Sequence, residues 1–79
     1  MIQRELRTAE DIGKWITAEL QKIKACQGSS VDSVVGLREP DVDGCNWSDS
    51  IAVQLGEDCP RPILQKIIQE ARQRFNLKI

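Results

Sequence analysis

Residues 31–55 read VDSVVGLREPDVDGCNWSDSIAVQL, and their pattern predicts an antiparallel hairpin. Apolar residues alternate with polar ones over 31–38 and again over 47–55, which is typical of strands with one buried face. Pro40 and Gly44 lie between these strands, and both belong to residue types that form turns. The segment therefore predicts two strands joined by a polar loop, with one face of the hairpin buried and the other wet.

An amphipathic helix is predicted before the hairpin. Thr8 is a typical N-cap, and the two acidic residues that follow it interact favourably with the helix dipole. Apolar residues then recur at helical spacing over 12–23, and Gly28 ends the pattern. Residues 1–7 either extend this helix or lie outside it.

A second amphipathic helix is predicted after the hairpin. Apolar residues recur at helical spacing over 63–75. Pro60 and Pro62 suit a first helical turn, where a missing N–H group costs nothing. Asp58 or Cys59 is the expected N-cap.

The order of these elements predicts one domain over 1–79, of the α+β class and with the order α-β-β-α. Two helices are expected to pack on one face of the antiparallel hairpin. Leu77 and Ile79 either pack back on the domain or form a further short strand. The expected core draws apolar residues from all four elements: Ile12, Trp15, Ile16, Leu20, Ile23, Val35, Leu37, Ile51, Val53, Leu55, Leu64, Ile67, Ile68 and Phe75.

The composition excludes several classes of protein. The chain has 79 residues, a net charge of −1 and no histidine. Without histidine it cannot carry a Ser-His-Asp or Cys-His mechanism on its own, so we predict a non-enzymatic protein with no catalytic residue, cofactor or metal ligand. No apolar run is long enough to span a bilayer, and no signal peptide opens the chain, which predicts a cytoplasmic protein that does not bind membranes.

The three cysteines, Cys26, Cys45 and Cys59, are predicted to be reduced thiols. Their number is odd, and disulfides are uncommon in reducing compartments. A redox pair of Cys45 and Cys59 is the alternative, if the adjacent ends of the hairpin and the second helix bring them together.

The densest polar cluster is the loop 39–50. Glu39, Asp41 and Asp43 have the spacing of the first carboxylate ligands in a calcium loop, but Ser50 stands where such a loop needs a bidentate glutamate. A polar turn that keeps a sheet edge soluble is the simpler interpretation. A metal or thiol site that uses this loop and the cysteines is kept as an alternative function.

Four residues of the loop are candidates for contact with a partner: Asp41, Asp43, Trp47 and Asp49. Trp47 fits either the core or an exposed binding anchor, because tryptophan is common in both. Asp49 lies on the apolar face of the second strand, where it is expected to cap a turn or accept backbone hydrogen bonds. The leading interpretation is a protein-interaction module that uses the hairpin edge or the acidic loop. Homodimerisation stays open.

Charge is unevenly distributed along the chain. Residues 38–59 carry one basic and six acidic side chains, whereas residues 60–79 carry five basic and one acidic. A basic last helix could contact phosphate, so a nucleic-acid accessory is a further alternative. It is not favoured, because the chain lacks the net positive charge and the interleaved aromatic residues of such proteins.

The strings DGCNWS (43–48) and EARQRFNL (70–77) resemble those of a group of short, uncharacterised proteobacterial proteins. The resemblance covers the C-terminal half of the chain. It implies a small bacterial cytoplasmic protein, and it implies no activity and no site residue.

Overall fold

The computed structural model describes residues 4–78, which contain two α-helices and four short strands. The elements are β1 (Glu5–Arg7), α1 (Ala9–Gln21), a 3-10 turn (Lys24–Cys26), β2 (Ser30–Val31), β3 (Val53–Gln54), α2 (Arg61–Arg74) and β4 (Phe75–Leu77). The α+β class is confirmed. Over residues 4–78, neither helix has the length and apolar character needed to cross a membrane.

The first helix begins where the sequence predicts and ends earlier. Thr8 is the N-cap, and its hydroxyl oxygen accepts a hydrogen bond from the N–H of Asp11 at 3.1 Å. The helix ends at Gln21 because Ile23 has an extended backbone (φ −102°, ψ 119°) that redirects the chain into the 3-10 turn. Residues 5–7 lie outside the helix, as β1.

The second helix begins two residues after Cys59. Its N-cap is Pro60, whose carbonyl accepts a hydrogen bond from the N–H of Ile63 at 3.1 Å. The predicted caps Asp58 and Cys59 are therefore wrong, and the sulfur of Cys59 is engaged elsewhere. The helix ends at Arg74, and the chain continues directly into β4.

The predicted hairpin forms only in part. β2 and β3 pair antiparallel over two residues each, and nearer the loop an isolated antiparallel bridge joins Gly36 to Trp47. Between these points the N–H of Val34 donates to the carbonyl of Ala9 at 3.4 Å, so the first arm binds α1 instead of the second arm. The arms also differ in length by one residue. The two arms therefore do not form a continuous ladder of hydrogen bonds. The packing of both helices on one face of a full hairpin stays a prediction.

A second strand pair, which the sequence pattern did not predict, joins the two ends of the described chain. β1 runs parallel to β4, with Glu5 opposite Phe75 and Arg7 opposite Leu77. The N–H of Lys78 continues this pairing by donating to the carbonyl of Arg7 at 2.8 Å. Of the two alternatives left open for Leu77, the structure has the short strand, while Ile79 lies outside the described residues.

The core lies between the two helices and β2. α1 packs against both α2 and β2. The approach to β2 is close, because the hydroxyl oxygen of Thr17 accepts a hydrogen bond from the N–H of Val31 at 2.9 Å. The buried apolar residues are Ile12, Ile16, Leu20, Cys26, Val31, Val34, Cys45, Trp47, Cys59, Leu64, Ile67, Ile68, Ala71 and Phe75.

One part of the predicted core is in the wrong register. Val35 is 57% exposed, whereas Val34 is 5% exposed. The alternation that placed Val35 inside holds only for a regular strand, and this arm is not one. Leu37 is half-buried. The other predicted core residues either belong to the core or pack partly buried against it: Trp15, Ile23, Ile51, Val53 and Leu55 form the second group.

The cysteines are not three reduced thiols, as the sequence predicted. Cys26 and Cys59 form a disulfide that joins the 3-10 turn to the residue before the N-cap of α2. Cys45 is free and buried. The prediction failed because an odd count of cysteines says nothing about which two lie together. The alternative pair of Cys45 and Cys59 is likewise wrong.

Candidate functional site

The loop 41–45 is a closed turn built around Asp41. The N–H of Asp41 donates to the carbonyl of Cys45 at 2.9 Å, and its carbonyl accepts from the N–H of Gly44 at 2.9 Å. One carboxylate oxygen, Oδ1, accepts from the N–H groups of Asp43 at 2.9 Å and Cys45 at 3.2 Å. Gly44 has φ +87°, which glycine adopts without steric cost. The turn therefore engages one of the two carboxylate oxygens of Asp41.

The second carboxylate oxygen of Asp41, Oδ2, binds Arg72 of α2. Nη2 of Arg72 forms a short ion pair with Oδ2 of Asp41. The same guanidinium donates to the carbonyl of Trp47 from Nε at 3.2 Å and from Nη2 at 3.1 Å. It also lies 5.9 Å from the centre of the Trp47 ring. Arg72 thus ties the loop to α2.

This arrangement favours the charged forms of both partners. Partial burial by itself raises the pKa of Asp41, but the hydrogen bonds from Arg72, Asp43 and Cys45 and the charge of Arg72 outweigh it and lower that pKa below its usual value. Burial by itself lowers the pKa of Arg72, but the hydrogen bond to Asp41 and nearby negative charge raise it. Because a carboxylate with a lowered pKa is a weak proton acceptor, Asp41 is suited to holding structure and not to acid–base chemistry.

Trp47 fills the core. Its side chain is 0% exposed, and its indole Nε1–H donates to the carbonyl of Phe75 at 3.0 Å. The alternative of an exposed binding anchor is corrected by this burial, since the ring offers no surface to a partner.

The side chains of Asp43 and Asp49 lie at the surface, although the backbone N–H of Asp43 binds Asp41. Both residues are exposed. Asp49 accepts one hydrogen bond from Gln69 at 3.5 Å, and it lines a mainly polar groove of about 290 Å³ together with Arg61. The turn cap predicted for Asp49 is made by its neighbour, because the hydroxyl of Ser48 accepts from the N–H of Ser50 at 3.0 Å.

The residues of the metal and thiol alternative are held in structural contacts. Cys26 and Cys59 are bonded to each other, and the buried Sγ of Cys45 donates to the carbonyl of Trp47 at 3.7 Å. Over 4–78, no three acidic or cysteine side chains lie together in a group that could hold a metal ion. The loop 41–45 is a polar turn closed by its own hydrogen bonds.

Two asparagines attach the loop to the last strand. The Asn46 amide accepts from the N–H of Leu77 at 2.6 Å and donates to the carbonyl of Leu77 at 3.0 Å. In return, the Asn76 amide accepts from the N–H of Asn46 at 3.4 Å and donates to the carbonyl of Gly44 at 3.1 Å. The Asn46 side chain thus takes the place of a neighbouring strand, and it fixes β4 between the loop and β1.

A groove of about 400 Å³, which we call the aromatic groove, lies where β1, α1 and the start of β4 meet. Its base is formed by Trp15 and Phe75, whose rings meet edge to face with centres 5.3 Å apart. Arg7 lies 5.9 Å from the Phe75 ring, and Arg74 lies 5.7 Å from the Trp15 ring. The groove is lined by Glu5, Arg7, Asp11, Trp15, Arg74 and Phe75.

The sequence pattern did not identify this groove. Trp15 and Phe75 fit the apolar stripes of their helices, so both were assigned to the core. Phe75 is 6% exposed, while Trp15 remains only partly buried. The one available signal was the size of Trp15, because an indole at the edge of a helical stripe seldom becomes fully buried in so small a domain.

Comparison with known proteins adds no relative with this geometry. No family model, curated protein or solved structure matches the chain.

Proposed function

We propose that the protein is a non-enzymatic interaction module that binds a segment of another protein in the aromatic groove. The observation that carries this proposal is the partly buried Trp15, held edge to face against Phe75 at the base of an open groove. Tryptophan and arginine dominate binding energy at protein interfaces, and here both line one concave surface. An apolar centre with a charged rim is also the usual anatomy of such an interface.

The charges of the rim favour a protein segment over a polyanion. Arg7 pairs with Glu5 at 2.7 Å, and Arg74 pairs with Glu70 at 2.9 Å. Each of these exposed ion pairs contributes little to stability, so a partner can replace them with its own contacts at a low cost in free energy. With Asp11 also on the rim, the lining carries as many acidic as basic residues. The expected partner therefore supplies an apolar side chain to the base and mixed polar groups to the rim.

The acidic loop supports partner binding less well than the groove. Of its four candidate residues, Asp41 is held by Arg72 and Trp47 is buried. Arg72 is correspondingly withdrawn from the basic surface of α2 on which a nucleic-acid role would depend. Asp43 and the fully exposed Val42 remain at the apex of the loop, where they serve as a control surface.

Site-specific photo-crosslinking tests this proposal. A benzophenone amino acid is placed at the exposed Asp11, which lines the groove one helical turn before Trp15, and in a matched protein at the exposed Asp43. In extract of the host cell, we expect a discrete adduct from position 11 that Trp15→Ala removes. Partner adducts that form equally from both positions and survive Trp15→Ala would contradict the proposal.

The crosslinked partner is then purified and its affinity measured by calorimetry. Trp15→Ala is expected to weaken binding by roughly 30-fold, which corresponds to a loss of about 2 kcal/mol. Arg74→Glu tests the rim without removing an apolar side chain, and Val42→Ala is the control. If the natural protein and the three variants bind the partner with equal affinity, the partner does not bind in the aromatic groove.

The cytoplasmic location remains a proposal, supported by the resemblance to small proteobacterial proteins. The disulfide between Cys26 and Cys59 weighs against it, because disulfides persist mainly in oxidising compartments. Trapping the thiols in intact host cells before lysis decides the point. If Cys26 and Cys59 escape alkylation in the cell because they are joined as a disulfide, a reducing location is contradicted.

A further inference from the structure

The outer edge of β1 is the edge that faces away from β4. The carbonyl of Arg7 accepts from the N–H of Lys78, so the backbone groups of Arg7 face β4. Backbone polar groups alternate in direction along a strand, which turns the N–H and carbonyl of Leu6 toward the opposite edge. Among residues 4–78, β4 is the one strand that pairs with β1. Unpaired strand edges of this kind are templates for pairing with another chain.

The side chains of β1 suit this edge to pairing with an identical strand. Leu6 is a large apolar residue and is 61% exposed. Glu5 and Arg7 flank it with opposite charges, and both line the aromatic groove on the other face of the strand. The segment therefore reads acidic, apolar, basic in one direction and basic, apolar, acidic in the other.

We propose that β1 pairs antiparallel with β1 of a second copy of this chain, across a two-fold axis at Leu6. The two Leu6 residues then lie opposite each other and exchange both backbone hydrogen bonds. Glu5 lies opposite Arg7 of the second copy, and the symmetry repeats this contact. These charged pairs occupy the non-hydrogen-bonded positions, where side chains approach most closely.

Charge complementarity selects this occupant and this direction. An antiparallel pairing across a two-fold axis brings opposite charges together twice, whereas a parallel pairing in register brings like charges together. An interface of the same patch on both copies is also the commonest way in which soluble proteins dimerise. Because β1 is only three residues long, we expect a weak dimer whose population rises with protein concentration.

The proposal does not rest on partner binding in the aromatic groove. Its charged pairs use Glu5 and Arg7, which also line that groove, but the strand contact needs neither Trp15 nor Phe75. A protein that failed to bind any partner would still form this dimer. Trp15→Ala is therefore expected to leave self-association unchanged, which separates the two proposals.

Sedimentation equilibrium of charge-reversed variants tests the pairing. E5R and R7E each place like charges opposite one another twice, so each alone is expected to be monomeric at concentrations where the natural protein dimerises. The double variant E5R/R7E restores both pairs and is expected to dimerise again. An equimolar mixture of E5R with R7E is expected to form a heterodimer, because the two arginines of one copy then face the two glutamates of the other.

The mixture also guards against variants that merely misfold, because a misfolded chain would not regain association with its opposite. L6P tests the backbone contact, since proline is tolerated on an edge strand but removes the outward N–H group. It is expected to remain monomeric. The proposal is overturned if the natural protein stays monomeric at the highest soluble concentration, if the mixture associates no better than its components, or if Trp15→Ala abolishes association while L6P does not.

Discussion

The side-chain amide of Asn46 forms a two-bond pair with the backbone of Leu77, at 2.6 Å to its N–H and 3.0 Å to its carbonyl. An amide is the side chain that can both accept and donate in this way. The pair connects the turn of the hairpin to a strand that lies 31 positions later in the chain.

Asn46→Ala removes both of these hydrogen bonds. Because it leaves the N–H and carbonyl of Leu77 without their partner, we expect the free energy of unfolding to fall by about 1–3 kcal/mol. Urea denaturation measures the change. Gln73→Ala, at an exposed position on α2, is the matched control and should stay within about 0.5 kcal/mol of the natural protein. An equally small effect of Asn46→Ala would contradict the pairing.

Acid should destabilise the protein through Asp41. Its pKa is lower in the folded state than in the unfolded chain, so its contribution to stability is complete above the unfolded value and is lost as the pH falls through the folded value. Asp41→Asn is expected to be less stable than the natural protein at pH 7. The two proteins should then converge as the pH falls below about 4 and through the lowered pKa of Asp41.

Denaturation curves recorded across this pH range test the role of Asp41. Asp43→Asn removes a neighbouring negative charge without disturbing the contact with Arg72. It should destabilise the protein at pH 7 much less than Asp41→Asn does. If the two variants lose equal stability at pH 7, the effect belongs to the net charge and not to the ion pair.

The helices were predictable from the sequence, because their signals are local. A capping threonine and apolar spacing lie within a few turns of each other, and α1 begins where they predict. The pairing of β1 with β4 was not predictable in this way, since three residues near each end carry no periodic pattern. Of the candidate site, Asp41 and Trp47 were recognised as unusual, but their joint binding to Arg72 depends on a contact between distant segments.

Val34 and Val35 give a direct test of how the first arm of the hairpin runs. Val34 is buried and Val35 is exposed, contrary to the sequence pattern. Val34→Ala is expected to cost about 1–3 kcal/mol, through lost burial and the cavity it leaves. Val35→Ala should change stability by less than about 0.5 kcal/mol. Thermal unfolding of the two variants measures these losses. If Val35→Ala destabilised the protein more than Val34→Ala, the first arm would be a regular strand with Val35 buried.

The disulfide between Cys26 and Cys59 closes a segment with a sequence separation of 33. The loss of unfolded-state entropy that accompanies a loop of this size predicts that the double serine variant loses about 3–4 kcal/mol. Thiol titration checks the connectivity first. The native protein should show no reactive thiol, the denatured protein only Cys45, and the denatured and reduced protein all three. Three thiols in denaturant without reductant would disprove the bond.

Gly13 is required by the close approach of α1 to the chain after β2. A Cβ atom at this position would lie 2.8 Å from the carbonyl oxygen of Asp32, which is a backbone atom and cannot move away cheaply. Alanine normally stabilises a helix by about 1 kcal/mol relative to glycine. Here the clash should reverse the sign, and we expect Gly13→Ala to lower the melting temperature.

Gly28 provides the comparison for this prediction. A Cβ atom there would meet nothing closer than the Cα of Gly56, at 3.9 Å. Gly28→Ala should therefore leave the melting temperature nearly unchanged or raise it slightly. If Gly13→Ala behaved in the same way, α1 would lie farther from residue 32.

The parallel contact of β1 with β4 also bears on how the chain reaches this structure. Arg4, just before β1, donates to the carbonyl of Arg72 across a separation of 68 positions, so this end-to-end closure requires most of the chain to be gathered first. The helices and the β2–β3 pair involve shorter separations and should form earlier. Pairing of β4 with β1 would then be the late step, and a chain interrupted before Phe75 would leave β1, together with its apolar Leu6, without its partner strand from the same chain.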